Sequence, residues 1–138
     1  MGPKERLNQY LDKVSSEPFV WGKHDCLIFS NNAFKEYWGF GYAEDWLGKY
    51  MLSDRVMRAD EMRKFFRFST LESALDSKLT RCPATKYGSL VTTLKNQRWV
   101  TKVALGISVG SRCLFLSKQG MITLNATDTN GAWIPNEK

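Results

Sequence analysis

The stretch Trp21-Gly22-Lys23-His24-Asp25-Cys26 decides how this chain is read, because it delivers a cysteine to the first turn of an apolar helix, beside the single histidine. Asp25 is a strong N-cap residue. Leu27, Ile28, Ala33, Phe34 and Tyr37 follow at spacings that predict a buried helix starting near Cys26 and running to Trp38-Gly39. The unpaired N–H groups and positive dipole end of such a helix favour thiolate over thiol. Two effects oppose them: the Asp25 carboxylate repels a second negative charge, and apolar surroundings penalise any charge. Cys26 is therefore open to two readings, a reactive nucleophile or a buried structural cysteine, the commoner fate of a lone Cys on an apolar helix.

Working outward, Leu7, Tyr10, Leu11 and Val14 repeat at helical spacing, and Ser15-Ser16-Glu17-Pro18 ends that helix. Downstream, Tyr42 to Tyr50 reads as a short amphipathic segment. Ser53-Asp54 is the predicted cap of a longer helix carrying Val56, Met57, Met62, Phe65 and Phe66. Ser69-x-x-Glu72 has the form of a capping box for a short helix through Leu71, Leu75 and Leu79.

After Cys82-Pro83 the pattern changes to strands. Ser89 to Leu94, Trp99 to Val109, Arg112 to Leu116, Met121 to Leu124 and Ala132-Trp133-Ile134 are the strand candidates. Asn96-Gln97, Gly110-Ser111 and Lys118-Gln119-Gly120 are the turns, and Asn125 to Gly131 is a loop. Helices first and an antiparallel meander afterwards predict an α+β domain, its helices packed on one face of the sheet. With 138 residues, 43% of them hydrophobic, residues 1–138 form one domain able to bury a core without disulfide or metal staples.

Composition narrows the function classes. Cys26, Cys82 and Cys113 form no C-x-x-C pair and no even framework, and one His makes a zinc site improbable, so no metal and no cofactor is expected. Met1 to Gln9 is polar and unlike a signal peptide, and no apolar run approaches the length of a membrane span. Reduced thiols suit synthesis in a cytoplasm. The net charge of +6 is uneven: residues 1–69 hold 11 Lys/Arg against 10 Asp/Glu, and residues 70–138 hold 9 against 4. A basic second half suits an acidic partner, wall polymer or nucleic acid, but no nucleic-acid motif accompanies it, and nucleic acid is not the expected partner.

Four segments share an order and spacing with a known family: Pro18-Phe19-Val20-Trp21-Gly22 leading into His24-Asp25-Cys26, the section Tyr50 to Phe65, Tyr87-Gly88-Ser89-Leu90-Val91, and Ala104-Leu105-Gly106-Ile107-Ser108-Val109-Gly110. With Gly120-Met121 and Ala132-Trp133-Ile134 added, the chain resembles NlpC-type cysteine peptidases of the papain fold, and more closely a small branch of them found among phage tail genes. The resemblance implies a papain-like core, with Cys26 as nucleophile. A His opening the Val-Gly-Ile-like strand would take its proton, and a polar group on the next strand would orient that His. An imidazole is needed because a thiol near its ordinary pKa is mostly protonated at neutral pH. Here Ala104 stands where that His is expected, Leu114 to Leu116 is apolar where the orienting group belongs, and Ser89 replaces the usual Asp after Gly88.

His24 is the remaining candidate base, although two side chains flanking Asp25 are poorly placed for proton transfer. Its alternative is a surface or loop residue bonded to backbone near the helix start. Asp128 and Lys102 have no motif behind them. Trp21 and Asp25 are the candidate binding residues. Trp21, Trp38, Trp46, Trp99 and Trp133 either line a groove or build the core and its rim, and Phe65, Phe66 and Phe68 read as core and near-core packing.

Three functions follow. The first is a phage virion protein, at the tail, that keeps the papain-like fold without full catalytic machinery and serves assembly with other phage structural proteins or contact with peptidoglycan. It would be made in the host cytoplasm and then built into the particle. The second is an active thiol amidase or endopeptidase cutting peptidoglycan stem peptides during genome entry, with Cys26 and His24 as its dyad. The third is a basic nucleic-acid-binding module.

Overall fold

The computed structural model of the chain describes residues 1–94 and 104–136. Four helices come first: α1 (Pro3–Val14), α2 (Cys26–Trp38), α3 (Ala59–Phe66) and α4 (Leu71–Lys78). Six strands follow: β1 (Leu79–Arg81), β2 (Leu90–Thr93), β3 (Ala104–Ser108), β4 (Arg112–Ser117), β5 (Gly120–Asn125) and β6 (Gly131–Pro135). All pairings are antiparallel, in the order β1-β6-β2-β3-β4-β5. The fold is α+β.

Side-chain alternation along each strand gives the sheet two buried faces. Leu90, Leu105, Ile107, Leu116 and Trp133 join the main core with Leu7 and Leu11 of α1, Leu27, Phe29 and Phe34 of α2, and Leu71 and Leu75 of α4. Val91, Ala104, Cys113, Phe115 and Ala132 form a second cluster, closed by Ala126 in the 3-10 turn Ala126–Asp128. The last strand is inserted between β1 and β2 rather than added at an edge. Trp133 is anchored there: its indole N–H donates to Asp76 Oδ1 at 2.8 Å, while Arg81 pairs with Asp76 and lies 4.7 Å over the Trp133 ring. The Arg81 and Trp133 hydrogen bonds hold the Asp76 carboxyl below its usual range.

Several sequence boundaries shift. The third helix begins at Ala59 with Arg58 as its cap, because Val56 is held extended by a bridge to Met51 and so cannot enter a helix from Ser53-Asp54. The fourth is capped by Thr70, whose hydroxyl accepts from Ser73 N–H at 3.1 Å, one residue beyond the predicted Ser69 box. The helix stops at Lys78 rather than reaching Leu79, because Leu79 pairs with Pro135 and opens β1 directly, where the sequence offered no strand signal. Phe65, expected in the core, is 56% exposed, whereas Phe66 and Phe68 pack on the core edge beside Trp46. The turn at Asn96-Gln97, Trp99, Lys102 and the opening of the predicted Trp99 to Val109 strand lie outside the described residues. No described helix is long and apolar enough to cross a membrane.

Candidate functional site

The site is assembled around one carboxylate. Asp25 is fully buried and caps α2, with Oδ1 accepting the Ile28 N–H at 3.0 Å. Its Oδ2 accepts the Gly22 N–H at 2.9 Å and the Tyr50 hydroxyl at 2.5 Å. Around the Gly22 donor the backbone closes a tight turn, in which Val20 and His24 exchange N–H to carbonyl bonds of 2.9 and 2.8 Å. Gly22 makes the turn possible: its φ is +80°, and a Cβ there would sit 2.9 Å from Met51 Cγ. Asp25 thus ties the Cys26 loop, the helix start and the Tyr50 segment together, and every lone pair it commits is used for structure.

Cys26 occupies the first helical position and is 3% exposed, inside the main core cluster. Its sulfur is approached by the backbone N–H of Leu105 on β3 and by the N–H groups of Cys26 and Leu27, all of which favour thiolate. They lose. Burial, and then the Asp25 charge, push the thiol far above its ordinary value, so the group is a neutral thiol at any physiological pH. The tyrosines beside it behave alike: burial pushes the phenols of Tyr42 and Tyr50 well up, with charge at Cys26 and Asp25 adding to both. Tyr42 is further committed to Ser30, hydroxyl to hydroxyl, at 2.7 Å.

The base expected of a thiol hydrolase does not stand beside that sulfur. Ala104, the position where an imidazole was expected, lies on the far side of the sheet with Val91, Cys113 and Phe115. The next residue, Leu105, turns toward the helices and is wholly buried with Cys26 in the main core. Alternation along the strand therefore puts Leu105, and not Ala104, on the face of the sheet that Cys26 occupies. His24 is a loop residue, but it is only 8% exposed, and its side chain bonds to no backbone group near the helix start. Its ring stands edge-on to Phe29 at 6.4 Å, and its Nδ1 lies 3.8 Å from Glu17 Oε2. Among the described residues no hydrogen bond or ion pair joins His24 to Cys26, and the His24 Nε2 has no hydrogen-bond partner.

Trp21 sits half-buried on the core edge, edge-on to Phe19 at 4.9 Å. Asp128 lies in the 3-10 turn after β5, where its carbonyl accepts the Thr93 hydroxyl at 3.0 Å. Cys26 lines neither the open cleft of about 230 Å³ walled by Arg6, Gln9, Tyr10, Lys13 and Glu36 nor the apolar void of about 10 Å³ beneath Trp46 and Met62. The site residues that the sequence did not reveal are Tyr42 and Tyr50. Their only signal is that tyrosines bracket the amphipathic segment, and a phenol earns a buried place only by reaching a partner. Among the described residues no three His, Cys, Asp or Glu side chains gather as a metal ion would require.

No curated protein matches this chain, and no solved structure does. A family match extends over residues 2–134, from the cap of α1 through the Asp25-Cys26 turn to the last strand, and carries the description Domain of unknown function (DUF6950). The chain belongs to that family.

Proposed function

We propose that the protein is a catalytically silent domain of papain-like, NlpC-type descent that serves as a structural component of a phage particle, at the tail, in assembly or in contact with the cell wall. The observation that carries the reading is the setting of Cys26: a thiol at the mouth of a helix laid against an antiparallel sheet, faced by Leu105 rather than by an imidazole. The placement is that of a nucleophile, and the chemistry is that of a core residue. A thiol hydrolase needs thiolate and a general acid within hydrogen-bond reach of one accessible cleft. Burial and Asp25 work against the first requirement, and Leu105 removes the second.

Two measurements test this. Incubated with purified cell-wall sacculi, the protein should release no stem-peptide fragments above the level of a Cys26→Ala control; release that depends on Cys26 would overturn the silent reading. Mass spectrometry of purified particles of the phage encoding the chain should find it among the structural proteins, and its absence from the particles would overturn the structural role.

A further inference from the structure

We propose that the open cleft between α1 and α2 binds a small zwitterion of dipeptide size, with its ammonium set against Glu36 and its carboxylate against Lys13. The inference stands apart from the Cys26 site, since Cys26 does not line this cleft, and from the reading of its chemistry.

The cleft follows from how the two helices are joined. Arg6 donates from Nε to the Glu36 carbonyl at 2.9 Å, in the last turn of α2, and from Nη1 to the Met1 carbonyl at 2.9 Å. One turn further along α1, Tyr10 stacks on Phe29, two turns earlier on α2, with ring centroids 6.2 Å apart. The helices therefore run antiparallel, and Arg6, Gln9, Tyr10, Lys13 and Glu36 wall a space of about 230 Å³. Arg6 is pinned by the carbonyls that it closes. Lys13 and Glu36 are not: among the described residues neither side chain makes a hydrogen bond or an ion pair. Arg6 stands level with Glu36, and Lys13 lies two turns beyond it, so two free charges of opposite sign are about 10 Å apart along the helices.

That arrangement selects its ligand by charge. A simple anion is drawn to Lys13 and repelled by Glu36, and a simple cation meets the reverse, whereas a molecule carrying both charges satisfies both ends. Tyr10 adds no third charge, because burial, and then the charges of Glu17 and Glu36, push its phenol up to about 12 against the pull of Asn32. Its ring and the exposed Gln9 amide stand between the two ends, one able to cover an aliphatic side chain and the other to bond to a peptide group. Length agrees with charge. An extended dipeptide spans about 7 Å, and the flexible stems of Lys13 and Glu36 close the remainder. The space is also smaller than the roughly 300–1,000 Å³ of pockets that enclose drug-sized ligands, which suits one or two residues rather than a longer chain.

Nuclear magnetic resonance of the isotope-labelled full chain tests this, by titration with alanylalanine, its N-acetyl form and its C-terminal amide at about pH 6.5, where both ends of the free dipeptide are charged. The expected result is saturable movement of the α1 and α2 amides that flank the cleft, with a dissociation constant of about 1 mM for alanylalanine and one about fivefold or more weaker for each capped form. Glu36→Gln should weaken alanylalanine about fivefold while leaving the N-acetyl form bound at least as tightly as before, and Lys13→Gln should weaken both. Neither side chain is tied into the fold, and amide shifts unchanged away from the cleft check that each variant keeps it. An absence of saturable movement up to about 20 mM would overturn the proposal. So would equal affinity for the three ligands, or affinities that the two variants leave unaltered.

Discussion

Tyr50 donates its hydroxyl to Asp25 at 2.5 Å, and through that bond a residue 25 positions downstream fixes the mouth of the helix that carries Cys26. The carboxylate that caps the helix is held by three donors beside the sulfur, so the feature that builds the site adds to the burial that pushes the Cys26 thiol up.

Removing that hub should cost stability rather than activity. Asp25→Ala takes away the N-cap and the carboxylate bonds of the Ile28 and Gly22 N–H groups and of the Tyr50 hydroxyl, an expected loss of about 3 kcal/mol. Tyr50→Phe removes one bond to a carboxylate that keeps two backbone donors, an expected loss of about 2 kcal/mol. Urea unfolding of the two variants checks both values and their order.

Alkali should unfold the protein early. Burial raises Cys26 above its ordinary value of 9.0, and Tyr42 and Tyr50 above theirs of 10.0. A raised value means that the folded state holds its proton where the unfolded chain releases it. The stability these groups contribute is complete below their ordinary values and falls as pH rises past them. Tm should therefore decline from about pH 9 upward and more steeply beyond pH 10, and Cys26→Ala should flatten the first part of that decline. A Tm series in matched ionic strength reads it directly.

An imidazole placed by alignment and one placed by geometry should behave differently. Ala104→His puts a polar ring among Val91, Cys113 and Phe115, so it should destabilise the fold by about 2 kcal/mol and leave Cys26 alkylation unchanged. Leu105→His puts the ring on the face that Cys26 occupies, and it should raise the alkylation rate of Cys26 at neutral pH about tenfold. Rates mapped by peptide mass spectrometry separate the two variants.

Strands β3 and β4 meet too closely at Gly106 for any side chain. A Cβ there would overlap the Leu114 carbonyl oxygen and the Phe115 ring, so Gly106→Ala should cost about 3 kcal/mol, although its φ needs no glycine. Thermal unfolding measures the loss.

What the sequence disclosed depended on whether the deciding contacts were local. The helix at Cys26 was legible to its ends, since Asp25 caps it and Gly39, in the left-handed region at φ +90°, closes it. The turn at Gly110-Ser111 was equally plain, with Val109 N–H reaching the Arg112 carbonyl at 2.9 Å. The α+β order followed from such signals. The start of α3 was misplaced because the Val56 bridge to Met51 lies outside any helical period, and β1 was missed because its strand character comes from pairing with β6, 52 residues away at Arg81 and Trp133. At the site, Cys26 and Asp25 were found by pattern, whereas Tyr50 arrives through tertiary packing. The choice between Ala104 and Leu105 is a matter of strand register, where one residue exchanges the two faces of the sheet.

The central claim is that Cys26 is a neutral core thiol, and alkylation of the folded protein with iodoacetamide across pH 6 to about 9, with the modified cysteines mapped by mass spectrometry, tests it most directly. Half-exposed Cys82 should label first, and Cys26 should stay unmodified until the chain unfolds. Rapid labelling of Cys26 near pH 6, ahead of Cys82 and Cys113, would contradict the account.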